Sequence, residues 1–286
     1  MDKLRYKAYG KINLMLNISG VREDGYHTLE TVMQTVSLHD VIEIRFRKAQ
    51  GIGLKCDLPY IPRDERNIAW KAADLFSKRV DFKKGIDIDI KKTIPVGGGM
   101  GGGSANAAAV LNMLNKMTGY PLNSGELAEL GLKLGADVPF CLNRGTYLAE
   151  GIGEKLTKLP DMPRCSIVVC KPRTSVSSKN AYGVYDEYNN KESFDAGAMI
   201  EAIKLRSVEG VAAALGNSFE GPISAMHPEI GRLVSKMKDL GALGSSMTGS
   251  GSVVFGIFKD NRRAHVAKAA FRMSGLRTFC VRPVSE

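Results

Sequence analysis

The chain has 286 residues, 44% hydrophobic and 24% charged, a balance that excludes a disordered tail or a membrane-embedded bundle and allows one large α/β unit or two compact ones. Forty basic residues against thirty acidic ones leave a formal net charge of +10, which draws anionic partners by long-range attraction. The basic residues are dispersed, the densest pairs being Lys83-Lys84, Lys91-Lys92 and Arg262-Arg263, which is no nucleic-acid signal, and a phosphorylated small substrate would also be drawn in.

The five cysteines, Cys56, Cys141, Cys165, Cys170 and Cys280, are odd in number and contain no Cys-x-x-Cys spacing, which argues for reduced thiols over a disulfide framework or a zinc knuckle. The first residues lack the uninterrupted apolar core and small-residue cleavage site of a secretory leader, and no stretch reaches the apolar length of a membrane span. A cytoplasmic protein with no membrane partner is expected.

From Arg5 to Arg47 the pattern is extended: Ile12, Leu14, Leu16 and Ile18 alternate with Asn13, Met15, Asn17 and Ser19, and Val41-Ile-Glu-Ile-Arg-Phe-Arg alternates again. This predicts an opening antiparallel sheet, with a turn at Asp24-Gly25 that sets Tyr26 and His27 at a loop edge. After Asn67, Ala69-Trp-Lys-Ala-Ala-Asp-Leu-Phe has helical spacing, and Gly85-Ile-Asp-Ile-Asp-Ile returns to period two, a strand leading into a glycine-rich loop. Ser104 to Met117 reads as a helix, rich in Ala, Leu and Met and closed by Gly119 and Pro121. Asn123 and Glu126 have capping-box spacing and announce a second helix ending near Gly135, with Asp137-Val-Pro-Phe directly after it.

Around Glu150 to Pro163 the composition shifts to Gly, Pro and charge, which predicts a domain junction near residue 160, hence an N-terminal domain over 1–160 and a C-terminal one over 161–286. The second half opens with the apolar strand Cys165-Ser-Ile-Val-Val-Cys, continues through helical stretches at 198–214 and 229–240, and reaches Val253-Val-Phe-Gly-Ile-Phe. A helix over 262–274 and a strand over Arg277–Val281 complete an α+β pattern.

The chemistry is concentrated in Pro95-Val96-Gly97-Gly98-Gly99-Met100-Gly101-Gly102-Gly103-Ser104-Ala105-Asn106, which holds six glycines between a predicted strand and a predicted helix. Unhindered backbone N–H groups and the positive end of a helix dipole make such a segment an anion site suited to phosphates. An unliganded flexible turn is disfavoured, because each glycine costs about 0.5–1 kcal/mol in chain entropy unless something offsets it. Gly97, Gly99 and Gly102 formally satisfy G-x-G-x-x-G, but the next acidic residue is Glu126, beyond the helix, so the dinucleotide-binding pattern fails. The Walker pattern fails as well, since no Lys-Ser or Lys-Thr follows the glycines.

A phosphate cradle of another kind remains, and it resembles the loop of the GHMP kinase superfamily, which binds ATP without a Walker lysine. Lys11-Ile-Asn-Leu, Arg22-Glu-Asp-Gly-Tyr-His-Thr-Leu, Leu134-Gly-Ala-Asp-Val-Pro-Phe and Thr248-Gly-Ser-Gly-Ser-Val-Val-Phe-Gly, in that order, are similar to the branch of the superfamily that phosphorylates the 2-hydroxyl of 4-diphosphocytidyl-2-C-methyl-D-erythritol on the non-mevalonate route to isoprenoid precursors. The likeness spans about residues 6–256. It implies the GHMP kinase two-domain α+β fold, with an N-terminal ribosomal-protein-S5-domain-2-like unit, a C-terminal ferredoxin-like unit and the family's active site in the cleft between them.

Carried over residue by residue, the resemblance makes Asp137 the base for the substrate hydroxyl and Lys11 the group that orients and polarises it. It sets the cytosine against Tyr26 and Tyr182, with His27 on the base edge and Asn13 reaching the base or the hydroxyl. Residues 95–106 hold ATP, with Asn67 a candidate on the adenine side and Lys92 a candidate for the phosphates. Relatives commonly carry two serines after the glycines, whereas Ser104 is followed here by Ala105. No dedicated metal carboxylate is identifiable, so Mg²⁺ is expected to arrive with ATP. The expected partners are ATP and the cytidine diphosphate methylerythritol substrate, acting on a monomer or weak homodimer.

Overall fold

A computed structural model of the chain describes residues 2–23 and 25–285. In chain order the first elements are β1 (Lys3–Val21), β2 (His27–Arg47), β3 (Ile52–Cys56), α1 (Ile68–Val80), β4 (Gly85–Lys91), α2 (Gly102–Met117), α3 (Ser124–Leu134) and α4 (Val138–Leu142). They are followed by β5 (Thr146–Gly151), β6 (Lys155–Lys158), β7 (Ser166–Lys171), α5 (Ser178–Glu187), α6 (Ala196–Lys204), α7 (Val208–Ala213) and β8 (Gly216–Asn217). The last are α8 (Glu220–Met226), α9 (Pro228–Asp239), β9 (Gly244–Met247), β10 (Val254–Phe258), α10 (Asn261–Met273) and β11 (Arg277–Val281).

Two compact units result, interleaved along the chain. The first comprises Met1–Gly10, Leu38–Val96 and Gly101–Asn143, the second Lys11–Ser37, Gly97–Met100 and Arg144–Glu286. The long strands β1 and β2 each give one half to either unit, so this partition differs from a sequential division near residue 160. The stretch read from composition as a junction is a β-hairpin inside the second unit: β5 pairs antiparallel with β6, and Gly151 and Gly153 take positive φ in the turn between them. Glycine is favoured at such backbone angles, which is why a turn and a linker share a composition.

In the first unit β4 pairs antiparallel with the Val41–Arg47 half of β2 and parallel with β3. Its alternation is the one the period-two pattern demands, with Ile86, Ile88 and Ile90 of β4 and Ile42 and Ile44 of β2 buried. Helix α1 buries Ala69, Ala72, Ala73 and Phe76, an i, i+3, i+4, i+7 stripe. Helix α2 is buried almost all round, as its Ala, Leu and Met content allows. The capping box of α3 is present in full: Asn123 Oδ1 accepts from Glu126 N at 3.0 Å and Glu126 Oε2 accepts from Asn123 N at 3.0 Å.

In the second unit the Leu29–Gln34 part of β2 pairs antiparallel with β5, and Met15-Leu16 of β1 pairs parallel with β8. A second sheet has the order β11-β7-β10-β9, every neighbouring pair antiparallel. Strand β7, the helices after it, β9, β10, α10 and β11 give the strand, helix, two strands, helix, strand succession of a ferredoxin-like unit. Ile230, Val234 and Met237 of α9 and Ala264, Ala267 and Phe271 of α10 join one core with Val168, Val254 and Phe258 of the sheet. The predicted helical stretch over 198–214 is two helices, α6 and α7, separated where Arg206 turns to φ 53 and Ser207 Oγ caps the second.

Candidate active site

The glycine loop is folded as its composition requires. Gly97, Gly99 and Gly101 take φ of 63, 75 and 64 degrees, and α2 begins at Gly102, two residues earlier than the sequence pattern predicts, with Gly101 as its N-cap. No side chain caps that helix, so its first N–H groups are held by no capping oxygen, the arrangement that suits an anion. Gly103 is exposed and Ser104 half-buried in the first turn.

Within the second unit, residues 97–100 of this loop are tied to the glycine motif after β9. Val253 N donates to Gly98 O at 3.2 Å, and a Cβ added at Gly99 would lie 2.1 Å from the carbonyl oxygen of Thr248. That approach explains why both segments are glycine. The motif is braced in turn by the segment after β7, where Ser252 Oγ donates to Thr174 O and the Ser178 and Ser250 hydroxyls lie 3.2 Å apart. Lys171 Nζ donates to Pro172 O at 2.9 Å, to Thr174 O and to Ser175 Oγ at 3.2 Å, and burial pulls its ammonium below the ordinary lysine range, partly offset by Glu229.

Lys11 is joined to the same loop. Its backbone N–H donates to Met100 O at 3.1 Å, and its ammonium, on a residue only 4% exposed, donates to Asn13 Oδ1 at 2.7 Å. Period two places Lys11 and Asn13 on one face of β1. Asn13 is 2% exposed and its amide is held on both sides: Nδ2 donates to Thr31 Oγ1 at 2.8 Å, while Oδ1 accepts from Lys11 and from Thr248 Oγ1 at 3.2 Å. Asn13, expected to reach a base or hydroxyl, is thus held beside Lys11 by three hydrogen bonds of its amide.

At the end of β9, directly before the motif, Ser246 Oγ and Met247 N donate to Oε2 of Glu220 in α8, at 2.8 Å and 2.7 Å. Burial pushes this carboxyl above its ordinary value, against the pull of those two hydrogen bonds.

The first unit carries the other end of the loop. Asp40, 0% exposed, accepts from Thr93 N at 2.6 Å, Ile94 N at 2.9 Å and Asn106 Nδ2 at 2.9 Å, and is ion-paired with Lys92 Nζ. Lys92 also donates to Asn106 Oδ1 at 3.0 Å. Lys92 and Asn106, expected on the ATP phosphates, both bond this buried carboxylate beside the start of α2: a Cβ added at Gly102 would lie 3.4 Å from Lys92 Nζ. Asp137 is half-buried at the N-cap position of α4.

His27 belongs to an aromatic cluster in the second unit. Its ring stacks on Tyr182, centroids 4.5 Å apart and planes inclined by 22°, and Tyr182 meets Phe219 edge-on at 5.0 Å. Nε2 of His27 lies 2.7 Å from Asp186 Oδ1, so Nδ1 is the nitrogen left for another partner. Tyr26 is 62% exposed, and its carbonyl accepts from Arg22 N at 2.7 Å, closing the turn in which Gly25 has φ 81; Asp24 itself lies outside the described residues.

The family patterns "GHMP kinases N terminal domain" and "GHMP kinases C terminal" match residues 67–145 and 199–275, on either side of residue 160. A protein of Clostridium botulinum (strain Eklund 17B / Type B) named 4-diphosphocytidyl-2-C-methyl-D-erythritol kinase is 41% identical over 281 residues, 98% of this chain and 100% of its own. The chain belongs to the 4-diphosphocytidyl-2-C-methyl-D-erythritol kinase family of GHMP kinases. A crystal structure of 4-(cytidine 5'-diphospho)-2C-methyl-D-erythritol kinase superposes with a TM-score of 0.85 at 31% identity, covering 99% of this chain and 100% of that one. A homoserine kinase from Cytophaga hutchinsonii reaches a TM-score of 0.77 at 18% identity over 100% of this chain and 95% of its own, a likeness of fold alone.

In this member of the kinase family two further expectations meet local structure. Asn67, expected on the adenine side, is the N-cap of α1: Oδ1 accepts from Ala69 N at 2.9 Å and Nδ2 donates to Pro62 O at 2.8 Å. Ala105, directly after Ser104, is 2% exposed and buried in the first unit. Sequence reasoning missed Asp40, Thr31, Asp186 and Glu220. Asp40 lies inside β2 among buried apolar residues, and all four acquire meaning only through their partners. Among the described residues no group of three or more His, Cys, Asp or Glu side chains could hold a metal ion, and no helix is long and apolar enough to cross a membrane.

Proposed function

We propose that the chain transfers the γ-phosphoryl group of ATP to the 2-hydroxyl of 4-diphosphocytidyl-2-C-methyl-D-erythritol, a step of non-mevalonate isoprenoid precursor synthesis. The observation that carries this reading is the joining of Lys11 to the glycine loop through Met100, with the ammonium held on Asn13. It supplies a fixed positive charge at the edge of an anion cradle, and the relatives' name supplies the acceptor.

Phosphoryl transfer asks the protein chiefly for positioning and charge stabilisation. Asp137 accepts the proton of the substrate hydroxyl; the oxygen so freed forms a bond to the γ-phosphorus as the bond to the bridging oxygen breaks and ADP leaves. Lys11 polarises the hydroxyl and neutralises charge that gathers on the transferred group. The N–H groups of residues 97–104 and the start of α2 hold the phosphates. Mg²⁺ fits as a companion of the nucleotide: the loop offers it the Ser104 hydroxyl and no carboxylate cluster, and it would neutralise phosphate charge. Tyr26 offers an exposed ring to the cytosine, Tyr182 and His27 a ready-made stack, and Nδ1 of His27 a contact to the base edge. The enzyme is placed in the cytoplasm, as a monomer or weak homodimer acting on small molecules alone.

A coupled assay of ADP release with the cytidyl substrate tests the reading. Asp137→Ala should lose about 10²–10⁴ of the turnover, the usual worth of a general base, with an unchanged circular dichroism spectrum. Near wild-type turnover in that variant would remove Asp137 from its role, and ADP release with homoserine or mevalonate in place of the cytidyl compound would redirect the substrate.

A further inference from the structure

His27 opens β2, and helix α5 presents three side chains to it from one face. Tyr182, Tyr185 and Asp186 stand at i, i+3 and i+4, the spacing that makes neighbours on a helix surface. Tyr182 lies flat against the imidazole at 4.5 Å, Tyr185 meets it edge-on at 6.3 Å, and Asp186 Oδ1 lies 2.7 Å from Nε2. The two rings fix the plane of the histidine, whose side chain is only 9% exposed, and Phe219 braces both tyrosines edge-on at 5.0 and 6.0 Å. The carboxylate fixes something else. A neutral imidazole carries one N–H, and a carboxylate accepts without donating, so Nε2 must hold the proton and Nδ1 the lone pair.

We propose that Asp186 is a specificity-determining residue that acts through His27: by fixing the proton on Nε2 it makes Nδ1 an acceptor that selects a cytosine and refuses a uracil. The inference rests on the reading of function given above, which sets the base edge at Nδ1. A cytosine joined to its ribose has one donor, the 4-amino group, and an accepting Nδ1 takes it. A uracil puts a carbonyl oxygen at that position, so that two lone pairs face each other. Its one donor, N3–H, lies one ring position away, and reaching it would slide the base along its stack. The other tautomer would reverse the preference, because an Nδ1–H would meet the uracil carbonyl and would face the cytosine amine donor to donor.

The decisive variant is Asp186→Asn, which keeps the shape of the side chain but can offer Nε2 either an oxygen or an N–H, so that both tautomers find a partner. Wild type should use the cytidyl substrate about 10- to 100-fold better in kcat/KM than its uridyl counterpart, the usual worth of a matched contact at a base edge. Asp186→Asn should narrow that ratio by about fivefold or more, and the change should fall on KM rather than kcat, since the base is bound alike before and during transfer. The nitrogen chemical shifts of the His27 ring, read by NMR, should place the proton on Nε2 in wild type and show a mixture of tautomers in Asp186→Asn. A wild-type ring protonated on Nδ1 or on both nitrogens would overturn the inference, and so would a wild type that uses both substrates alike or a ratio unmoved in Asp186→Asn. A wild-type protein that releases no ADP with either substrate would instead sink the reading of function, and the ring shifts would still decide whether Asp186 sets the tautomer.

Discussion

Asp40 is fully buried, and a carboxylate so placed persists because two backbone N–H groups, the Asn106 amide and the Lys92 ammonium all donate to it. Removing one partner of such a buried pair leaves an uncompensated charge, so Lys92→Met should lower the free energy of unfolding by about 3–5 kcal/mol, measured by chemical denaturation. The double change Asp40→Asn with Lys92→Met should recover much of that loss. A Lys92 that served ATP phosphates would give the opposite result, with stability kept and KM for ATP raised. Sequence alone could not separate these roles: Lys92 stands beside Lys91 in a polar run, and its partner is 52 residues away. Lys11 and Asn13, by contrast, were legible as a pair, since neighbours two apart on a strand must share a face.

At the scale of the element, the glycine loop separates two reasons for having no side chain. Gly99 has φ 75 and its missing Cβ would meet a backbone oxygen at 2.1 Å, so Gly99→Ala must displace the loop or the motif after β9. Gly103 lies in the first turn of α2 with φ outside the left-handed region, and a Cβ there would only touch Ile68 Cγ2 at 3.5 Å. Gly103→Ala should therefore keep or raise stability by up to about 1 kcal/mol through helix preference. If the exposed N–H groups hold phosphate, it should nonetheless raise KM for ATP. Thermal melts and ATP titrations of both variants separate the two effects, with Gly99→Ala losing on both. Helices such as α2 and α3 were readable because their caps and periodicity lie within a few residues of one another. Strand β8, two residues long, and α5, whose Tyr182 and Asp186 matter only beside His27, gave no local signal of comparable strength.

For the whole molecule, Glu220 gives stability a pH signature. Its folded-state pKa is raised above the ordinary 4.5, so between that value and the folded one the native state binds more protons than the unfolded state. Stability from this group accordingly falls as pH rises from 4.5 through the raised value. Glu220→Gln should flatten that part of the profile and leave the protein more stable at neutrality, as denaturation of both forms across the range would show. The two-part α+β architecture was readable from the order of its strands and helices, whereas the hairpin at Gly151 and Gly153 was not, because its composition is also that of a linker. Because β1 and β2 each serve both units, no single crossover between two related genes could exchange one unit whole. Recombination would have to cut each long strand in mid-run, leaving a recombinant whose strand is matched to one parent's partners at one end and to the other's at the far end. Such a fold is inherited as one piece, and its variation has to enter through side chains and turns.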